Sequence, residues 1–148
     1  MVHRIDGEVA FVGVMDLTPT CLSSVYLYYD PKYEFLSPGT LTAIREIEYI
    51  KKVREAGLAP DTFQYYYMGF YFQDCVKSVY KAHFRPSQVA CPVTYTYVPL
   101  TEQVKKLIDS EKMPRLVPKN APDAFPRPTI EEAKEGGQKV VLHFENGN

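Results

Sequence analysis

A long helix framed by two β-rich segments is the sequence feature that most constrains the fold of this chain. Ser37 and Pro38 are typical of a helix start and Gly57 of a helix end. Apolar residues recur between these ends at three-residue spacing, at Leu41, Ile44, Ile47, Ile50 and Val53. The spacing predicts one buried stripe along the helix, with the charged residues Arg45 and Glu46 on other faces.

The segments before and after this helix both have the composition of strands. Cys21–Tyr29 precedes it, and Phe63–Phe72, which is almost continuously apolar or aromatic, follows it. The second run predicts a strand covered on both faces. A strand, a helix and a strand in that order predict a right-handed crossover. Upstream, the turn dipeptide Asp6-Gly7 predicts a hairpin over Val2–Asp16.

The remaining elements are predicted to be shorter. They are a helix over Cys75–Phe84 capped by Asp74, a strand over Thr94–Val98, a helix over Thr101–Glu111, one or two helical turns opened by a capping box of Thr129 and Glu132, and a last strand or tail over Lys139–Phe144. Five prolines between residues 113 and 128 indicate an extended surface segment or a linker. We therefore predict a core at residues 1–112 and a proline-rich extension and tail at 113–148.

Composition narrows the class of protein. The chain has 148 residues, 45% hydrophobic and 24% charged, and a net charge of −1, which excludes a uniformly basic nucleic-acid binder. No apolar run approaches the roughly 18 residues of a membrane span. The three cysteines are far apart and odd in number, so we expect a reducing, cytoplasmic setting.

Common catalytic motifs do not occur in the sequence. His3, His83 and His143 are scattered, and there is no HExxH, GxGxxG or Walker loop. The cysteines lack a nucleophile-elbow context, so we expect them to be buried and structural. We therefore predict no metal site and no covalent catalysis in this chain.

Two local patterns leave a functional and a structural interpretation open. The helix start Leu36–Thr40 presents backbone N–H groups that suit a phosphate or carboxylate, although capping alone explains its composition. Lys77, Lys81 and Arg85, beside Tyr80, form a basic spot that suits RNA phosphates or an acidic group, or else a solvated face.

A longer set of motifs resembles one known family. The runs are Leu22-Ser23-Ser24-Val25-Tyr26-Leu27-Tyr28-Tyr29-Asp30-Pro31, Leu36-Ser37-x-Gly39, Arg45-Glu46-Ile47, Tyr65-Tyr66-Tyr67-Met68-Gly69-Phe70-Tyr71, Cys75-x-Lys77-x-x-Tyr80-Lys81-x-x-Phe84-Arg85-Pro86-Ser87 and Cys91-Pro92. In this order and spacing they resemble the C-terminal domain of arginyl-tRNA-protein transferases, of the eukaryotic branch. The resemblance covers roughly residues 3–100.

The resemblance implies an α/β (α+β) fold: a GNAT-like acyltransferase core, incomplete at its N-terminus, with a mixed and mainly antiparallel sheet flanked by helices. It implies a cytoplasmic enzyme, with the nucleus as a second location. That enzyme moves arginine from arginyl-tRNA to the α-amino group of proteins beginning with Asp, Glu or oxidised Cys, in the N-degron pathway of ubiquitin-dependent degradation. Partners are then arginyl-tRNA and proteins with acidic N-termini, with no membrane and no DNA.

The resemblance also implies roles for individual residues. The predicted catalytic residues are Tyr66, Tyr67 and Gly69, and the predicted substrate-binding residues are Asp30, Ser37, Gly39, Lys77, Tyr80, Lys81 and Arg85. For Asp30, pairing with the arginyl guanidinium and capping the turn before Pro31 stay equal alternatives. No cofactor is expected here beyond the co-substrate, because the family's metal or iron-sulfur site lies in its N-terminal region. The general base is left unassigned.

Other functions remain open beside this one. A non-catalytic module that binds tRNA or protein through a truncated fold is one, and leucyl transfer of the bacterial type is another. A CoA-dependent acetyltransferase is disfavoured by the missing phosphate loop at the helix start. We expect the chain alone to be weakly active or inactive as an aminoacyltransferase.

Overall fold

The computed structural model of the chain describes residues 1–122. The chain divides into two compact units, Met1–Ser87 and Gln88–Asn148, which we take separately. The helical turns predicted at Thr129 and the strand or tail predicted at residues 139–144 lie outside the described residues. The predicted boundary at residue 112 stays a prediction.

A four-stranded mixed sheet organises the first unit. Its strands are β1 (Val2–Ile5), β2 (Glu8–Leu17), β3 (Cys21–Tyr29) and β4 (Tyr65–Tyr67), in the spatial order β1-β2-β3-β4. The first three are antiparallel, and β4 pairs with β3 in parallel. The predicted hairpin is confirmed, with Asp6 at φ 49° and Gly7 at φ 85° in its turn. The α/β class and the mixed sheet are also confirmed.

Helix α1 (Pro38–Glu55) lies where the sequence predicts it, and it connects β3 to β4. A 3₁₀ turn over Pro31–Leu36 leads into it. At its end, Gly57 has φ 66° and donates its N–H to the carbonyl of Arg54. The helix ends just before Gly57 because the backbone of this glycine is left-handed, a conformation that costs free energy for most other residues.

The buried face of α1 differs from the predicted stripe. The helix buries Pro38, Thr42, Ala43, Glu46 and Ile50, whereas Ile44 is 43% exposed. Positions 42, 46 and 50 follow one another at i, i+4, so they form a single row along the helix. The prediction that Glu46 lies on a face other than the buried one was therefore wrong.

Strand β4 is much shorter than predicted and is not covered on both faces. Only Tyr65–Tyr67 pair with β3, while Phe70 and Phe72 are 76% and 55% exposed. Gly69, two residues after the strand, has a left-handed φ of 74°, which does not continue a strand. An apolar run predicts burial, but here the sheet pairing ends at Tyr67 and the residues after Gly69 are exposed.

The apolar core lies between α1 and the paired ends of β3 and β4. Leu22, Ile50 and Phe63 are at most 5% exposed, and Met15, Tyr49, Val53, Ala59 and Tyr66 pack around them. Burying one such large apolar side chain contributes roughly 1.5–3 kcal/mol. This cluster fixes the position of α1 along the sheet.

Helix α2 (Val76–Val79) is a single turn, continued by a 3₁₀ turn over Tyr80–His83. The predicted helix from Cys75 to Phe84 was therefore too long. Its N-cap is Cys75, whose extended backbone (φ −106°, ψ 115°) suits a cap, and not Asp74 as predicted. Ser78 is buried and bonds the preceding loop, accepting from the N–H of Phe72 at 2.8 Å.

The second unit contains a short hairpin and a helix. Strands β5 (Gln88–Ala90) and β6 (Tyr97–Pro99) pair antiparallel, and helix α3 (Glu102–Ser110) follows. The sequence missed β5, and β6 starts later than predicted because Tyr95, at φ 58°, belongs to the turn. Helix α3 is confirmed, with Thr101 as its N-cap.

The cysteines of the described region differ in environment. Cys91 is fully buried, as expected of a structural cysteine, and accepts a hydrogen bond from the N–H of Leu116 at 3.3 Å. Cys21 is half-buried and Cys75 is exposed, so the prediction of burial holds for one of the three. No helix within residues 1–122 is long and apolar enough to cross a membrane.

Candidate active site

A pocket opens where β4 ends beside β3. The two strands pair only from Cys21 with Tyr65 to Ser23 with Tyr67, while β3 continues to Tyr29. The partly open space beside the unpaired part of β3 has a volume of about 260 Å³, which includes open solvent. Its lining comes from β3, α1, β4 with the residue that follows it, and the 3₁₀ turn: Ser24, Leu27, Gly39, Thr42, Ala43, Tyr66, Met68 and Tyr80. We call this space the strand-end pocket.

Tyr66 joins the strand-end pocket to a buried carboxylate. Its hydroxyl donates a hydrogen bond to Oε2 of Glu46 at 2.7 Å. Burial, then the hydrogen bond to Glu46 and the charge of that carboxylate, raise the pKa of Tyr66 well above its usual range. The hydroxyl therefore stays protonated at neutral pH. Because it has one proton and gives it to Glu46, it offers the pocket an acceptor.

Glu46 is an unusual group in this position. It is 0% exposed, and its second oxygen, Oε1, has no hydrogen-bond partner among the described residues. A Cβ added to Gly13 of β2 would lie 2.6 Å from that oxygen, so only glycine leaves room for it. A buried carboxylate normally has a cation or several hydrogen bonds, because leaving it uncompensated costs several kcal/mol.

Two further polar atoms without partners lie in the same region. They are Oγ1 of Thr42, whose methyl group would be 3.0 Å from a Cβ on Gly13, and Nε2 of His3, whose ring stacks on Phe11 with centroids 4.4 Å apart. Burial is the main cause that lowers the pKa of His3, and the charge of Glu46 opposes that shift. These three are the buried side-chain polar atoms without a partner within residues 1–122.

Tyr80 and Gly39 form one wall of the strand-end pocket. A Cβ on Gly39 would meet Oη of Tyr80 at 3.0 Å, so the absent side chain lets the ring stand against α1. Burial, followed by the charge of Glu46, raises the pKa of Tyr80. Two of the predicted substrate-binding residues thus meet the predicted catalytic Tyr66 in one place.

Other predicted residues lie away from this pocket. Tyr67 is 41% exposed and does not line it, since adjacent residues of a strand face opposite sides of the sheet. Asp30 accepts a hydrogen bond from the N–H of Lys32 at 3.0 Å and lies 3.5 Å from its Nζ. Of the two interpretations of Asp30, the turn cap is therefore the contact present in the structure.

The helix start offers little for an anion. Ser37 occupies the N-cap position with φ 52° and makes no capping hydrogen bond through its side chain. The N–H groups of Thr40 and Leu41 donate to the Ser37 carbonyl, and Pro38 has none. Most of the backbone N–H donors that a phosphate or carboxylate would need at this turn are therefore already used or missing.

The basic residues separate into two kinds. Nζ of Lys81 donates to the carbonyl of Phe70 at 2.7 Å and would lie 4.0 Å from a Cβ on Gly69, so Lys81 holds the loop after β4. Burial lowers its pKa. Lys77 and Arg85 are exposed. The structure brings none of the three into the lining of the strand-end pocket.

A second indentation lies on the other side of Tyr80. It is shallow and open, has a volume of about 410 Å³ that includes open solvent, and is lined by Thr40, Ile44, Tyr80, His83 and Phe84. Tyr80 is shared by both spaces. A ligand group in one of these spaces would therefore be separated from a group in the other by the Tyr80 side chain.

Sequence reasoning missed the buried carboxylate and the neighbouring threonine. The usable signal was the row Thr42, Glu46 and Ile50, which repeats at i, i+4 and includes the core residue Ile50. No cluster of three or more potential His, Cys, Asp or Glu metal ligands occurs in the part of the chain that the structure describes.

Comparison with known proteins gives one consistent result. The family model described as "Arginine-tRNA-protein transferase, C terminus" matches residues 1–91. The chain is 44% identical over 114 residues to arginyl-tRNA--protein transferase 1 of Drosophila melanogaster, covering 77% of this chain and 23% of that protein. It is 44% identical over 109 residues to the Arabidopsis thaliana protein of the same name, covering 74% and 17%.

A more distant group of relatives bears a different name. The chain is 35% identical over 86 residues to the aspartate/glutamate leucyltransferase of Chromobacterium violaceum, covering 58% of this chain and 32% of that protein. The chain spans about a fifth of the length of the eukaryotic relatives it matches.

Proposed function

This chain belongs to the arginine-tRNA-protein transferase family, of which it matches the C-terminal part, and on that premise we propose that it carries the acyl-transfer site of an arginyltransferase. The donor is arginyl-tRNA, and the acceptor is the α-amino group of a protein that begins with Asp, Glu or oxidised Cys. The product then enters the N-degron pathway in the cytoplasm.

The strand-end pocket is the observation that supports this proposal most. Moving an acyl group from an ester to an amine requires positioning, a proton acceptor and stabilisation of an oxyanion, and no covalent enzyme intermediate. The pocket offers the hydroxyls of Ser24, Thr42, Tyr66 and Tyr80 at the point where two parallel strands part. The Glu46 carboxylate lies directly behind Tyr66.

We assign the acceptor's acidic side chain to the exposed cations. Lys77, on α2 just before the 3₁₀ turn that carries Tyr80, and Arg85, two residues after that turn, are both exposed. Charge-assisted hydrogen bonds from lysine and arginine suit a carboxylate or a sulfinate. Lys81 acts differently in this proposal, because its bond to Phe70 positions the loop that contains Gly69.

The metal or iron-sulfur centre of the family is proposed to lie in a region outside this chain. Leucyl transfer is the second candidate function, because bacterial leucyltransferases are among the relatives. The two candidates differ in the donor, so charged tRNA distinguishes them.

The test is transfer of labelled arginine from charged tRNA to a peptide that begins with Asp, with a Gly-initiated peptide as control. Lys77→Ala and Arg85→Ala are expected to raise KM for the Asp peptide, and Lys51→Ala, an exposed lysine on α1, to leave it unchanged. Leucine incorporation in place of arginine would select the second candidate. Because the chain alone is expected to be weakly active or inactive, a longer chain that adds the family's upstream region is assayed in parallel. Absence of aminoacyl transfer by both chains would contradict the proposal.

A further inference from the structure

We propose that Glu46 is the proton acceptor of the transfer reaction and acts through Tyr66, an inference that rests on the proposed function. Glu46 does not touch the acceptor amine. It receives the proton that Tyr66 gives up as Tyr66 takes one from the amine. The pair thereby supplies the general base that the pocket otherwise lacks.

The lining of the strand-end pocket leaves few other groups for this role. It contains two tyrosines, a serine, a threonine and apolar residues, and no carboxylate, imidazole or amine. Tyr66 and Tyr80 both have raised pKa values, so neither is available as a phenolate near neutral pH. Glu46 is the carboxylate that lies one hydrogen bond from this lining, at 2.7 Å from the Tyr66 hydroxyl.

The environment of Glu46 suits a proton acceptor better than a structural ion pair. The ion pairs of the described region join Lys32 to Glu8 and Asp30, Arg45 to Glu48 and Lys105 to Glu102, and Glu46 is in none of them. Its Oε1 has no hydrogen-bond donor. The carboxylate therefore has an oxygen that no hydrogen bond or ion pair of the described region uses.

The step balances in protons and electrons. The amine lone pair forms the new C–N bond at the ester carbonyl, while the N–H proton passes to Oη of Tyr66 and the Tyr66 proton passes to Oε2 of Glu46. When the C–O bond to the ribose breaks, the leaving oxygen takes up a proton by the reverse route. Glu46 and Tyr66 end as they began, and the products are an amide and tRNA with a free 3′ end.

The titratable groups around Glu46 come from four elements. His3 on β1, Tyr66 on β4 and Tyr80 in the 3₁₀ turn interact with its charge, and Arg45 of α1 is its neighbour in sequence and acts on His3. The N-terminal ammonium, which donates to the carbonyl of Gly13 on β2, also acts on His3. Among these, His3 is the other group that can titrate in acid. A separate His3 variant is therefore required to assign an acid limb in the rate.

The test is a set of variants of this chain in the transfer assay. Glu46→Gln keeps an acceptor for the Tyr66 hydroxyl and removes the basicity, so kcat is expected to fall about 10²–10⁴-fold with KM unchanged. Tyr66→Phe is expected to cause a similar loss, and the double variant no further loss, because both residues serve one proton path. Glu46→Asp is expected to recover part of the rate. Glu48→Gln, a matched exposed glutamate on α1, is the control.

The pH profile separates a proton path from a structural role. The acid limb of kcat is expected in the wild-type chain and in His3→Asn, and is expected to be lost in Glu46→Gln. Losses that add in the double variant, or an acid limb that disappears with His3 and not with Glu46, would overturn the proposal.

A measurement without substrate keeps this inference distinct from the proposed function. In a chain labelled with ¹³C at the glutamate carboxyl, the resonance that is absent from Glu46→Gln is expected to titrate differently in Tyr66→Phe. A titration unaffected by Tyr66→Phe would overturn the inference even where transfer is observed. If neither this chain nor a longer chain with the family's upstream region transfers arginine, the proposed function fails, and the NMR titration alone decides whether Glu46 and Tyr66 share a proton.

Discussion

The same three elements, β3, α1 and β4, build two different interiors at their two ends. Where β3 and β4 are paired, Leu22, Ile50 and Phe63 form a dry apolar cluster. One turn of α1 away from Ile50, the row continues into Glu46, which lies behind Tyr66, and then into Thr42, which lines a pocket rich in hydroxyls. One end of this layer is built for stability, and the other carries polar groups at a cost in stability.

The difference between the ends follows from the length of β4. Because β4 contributes only three residues to its pairing with β3, the two strands lie side by side only over that length. Beyond them, α1 covers β3 alone, and polar side chains occupy the gap. Isolated violations of local packing rules, such as an unpaired buried carboxylate, are expected at functional sites.

The largest effect is expected at the apolar end. Ile50→Ala should lower the free energy of unfolding by about 2–5 kcal/mol, because it removes a side chain that is 95% buried among Leu22 and Phe63. Ile44→Ala, on the same helix but 43% exposed, should cost less than about 1 kcal/mol. Urea unfolding of both variants measures this, and equal losses would mean that the buried stripe lies where the sequence alone predicts it.

The next largest effect is expected at Gly13, where β2 lies against Glu46. Gly13→Ala would place a Cβ 2.6 Å from Oε1 of Glu46, and such overpacking costs about 1–3 kcal/mol. Gly39→Ala meets the end of the Tyr80 ring, which can move, and gains helix propensity, so it should be close to neutral. Thermal unfolding compares the two. A neutral Gly13→Ala would show that Glu46 is not held against β2.

A smaller effect of opposite sign is expected at Thr42. Thr42→Val replaces a buried hydroxyl without a partner by a methyl group, and should raise the free energy of unfolding by about 1 kcal/mol. Thr62→Val removes a hydroxyl that donates to the carbonyl of Pro19 at 2.9 Å, and should lower it by about 1 kcal/mol. If Thr42→Val destabilises instead, the polar end gains stability from this hydroxyl.

The smallest effect is a pH dependence at His3. Burial lowers the pKa of His3 in the folded state below its value of 6.5, so the unfolded chain takes up this proton more readily. Its contribution is complete above pH 6.5 and is lost as pH falls from 6.5 through the lowered folded value. His3→Phe keeps the stacking on Phe11 and should flatten this part of the stability profile. Parallel wild-type and His3→Phe profiles between pH 7 and 5 would count against burial as the cause.

Local chemistry predicted the elements whose ends are marked by particular residues. The Asp6-Gly7 turn, the Pro38 and Gly57 ends of α1, and the start of α3 at Thr101 lie where the sequence places them. In each case the cause is within the turn itself, through a left-handed backbone or a capping hydrogen bond. The resemblance carried by the motifs was likewise confirmed by the family comparison.

The candidate site was predicted in part. Tyr66, Tyr80 and Gly39 come together in the strand-end pocket, while Tyr67, Asp30, Ser37, Lys77, Lys81 and Arg85 lie outside its lining. Sequence spacing brings Tyr66 and Tyr67 together as neighbours, but a strand places them on opposite sides of the sheet. Their predicted roles stay predictions, to be tested as described above.

The sequence by itself determined where α1 and the first three strands begin and end, because backbone preferences and caps act within a few residues. Tertiary structure decided which face of α1 is buried, how few residues of β4 join the sheet, and that Glu46 lies behind Tyr66. These depend on contacts between residues 20 or more positions apart. No local pattern distinguishes a glutamate that faces water from one that is buried. Glu46 is buried because Gly13, on a strand distant in sequence, has no side chain and leaves room for the carboxylate.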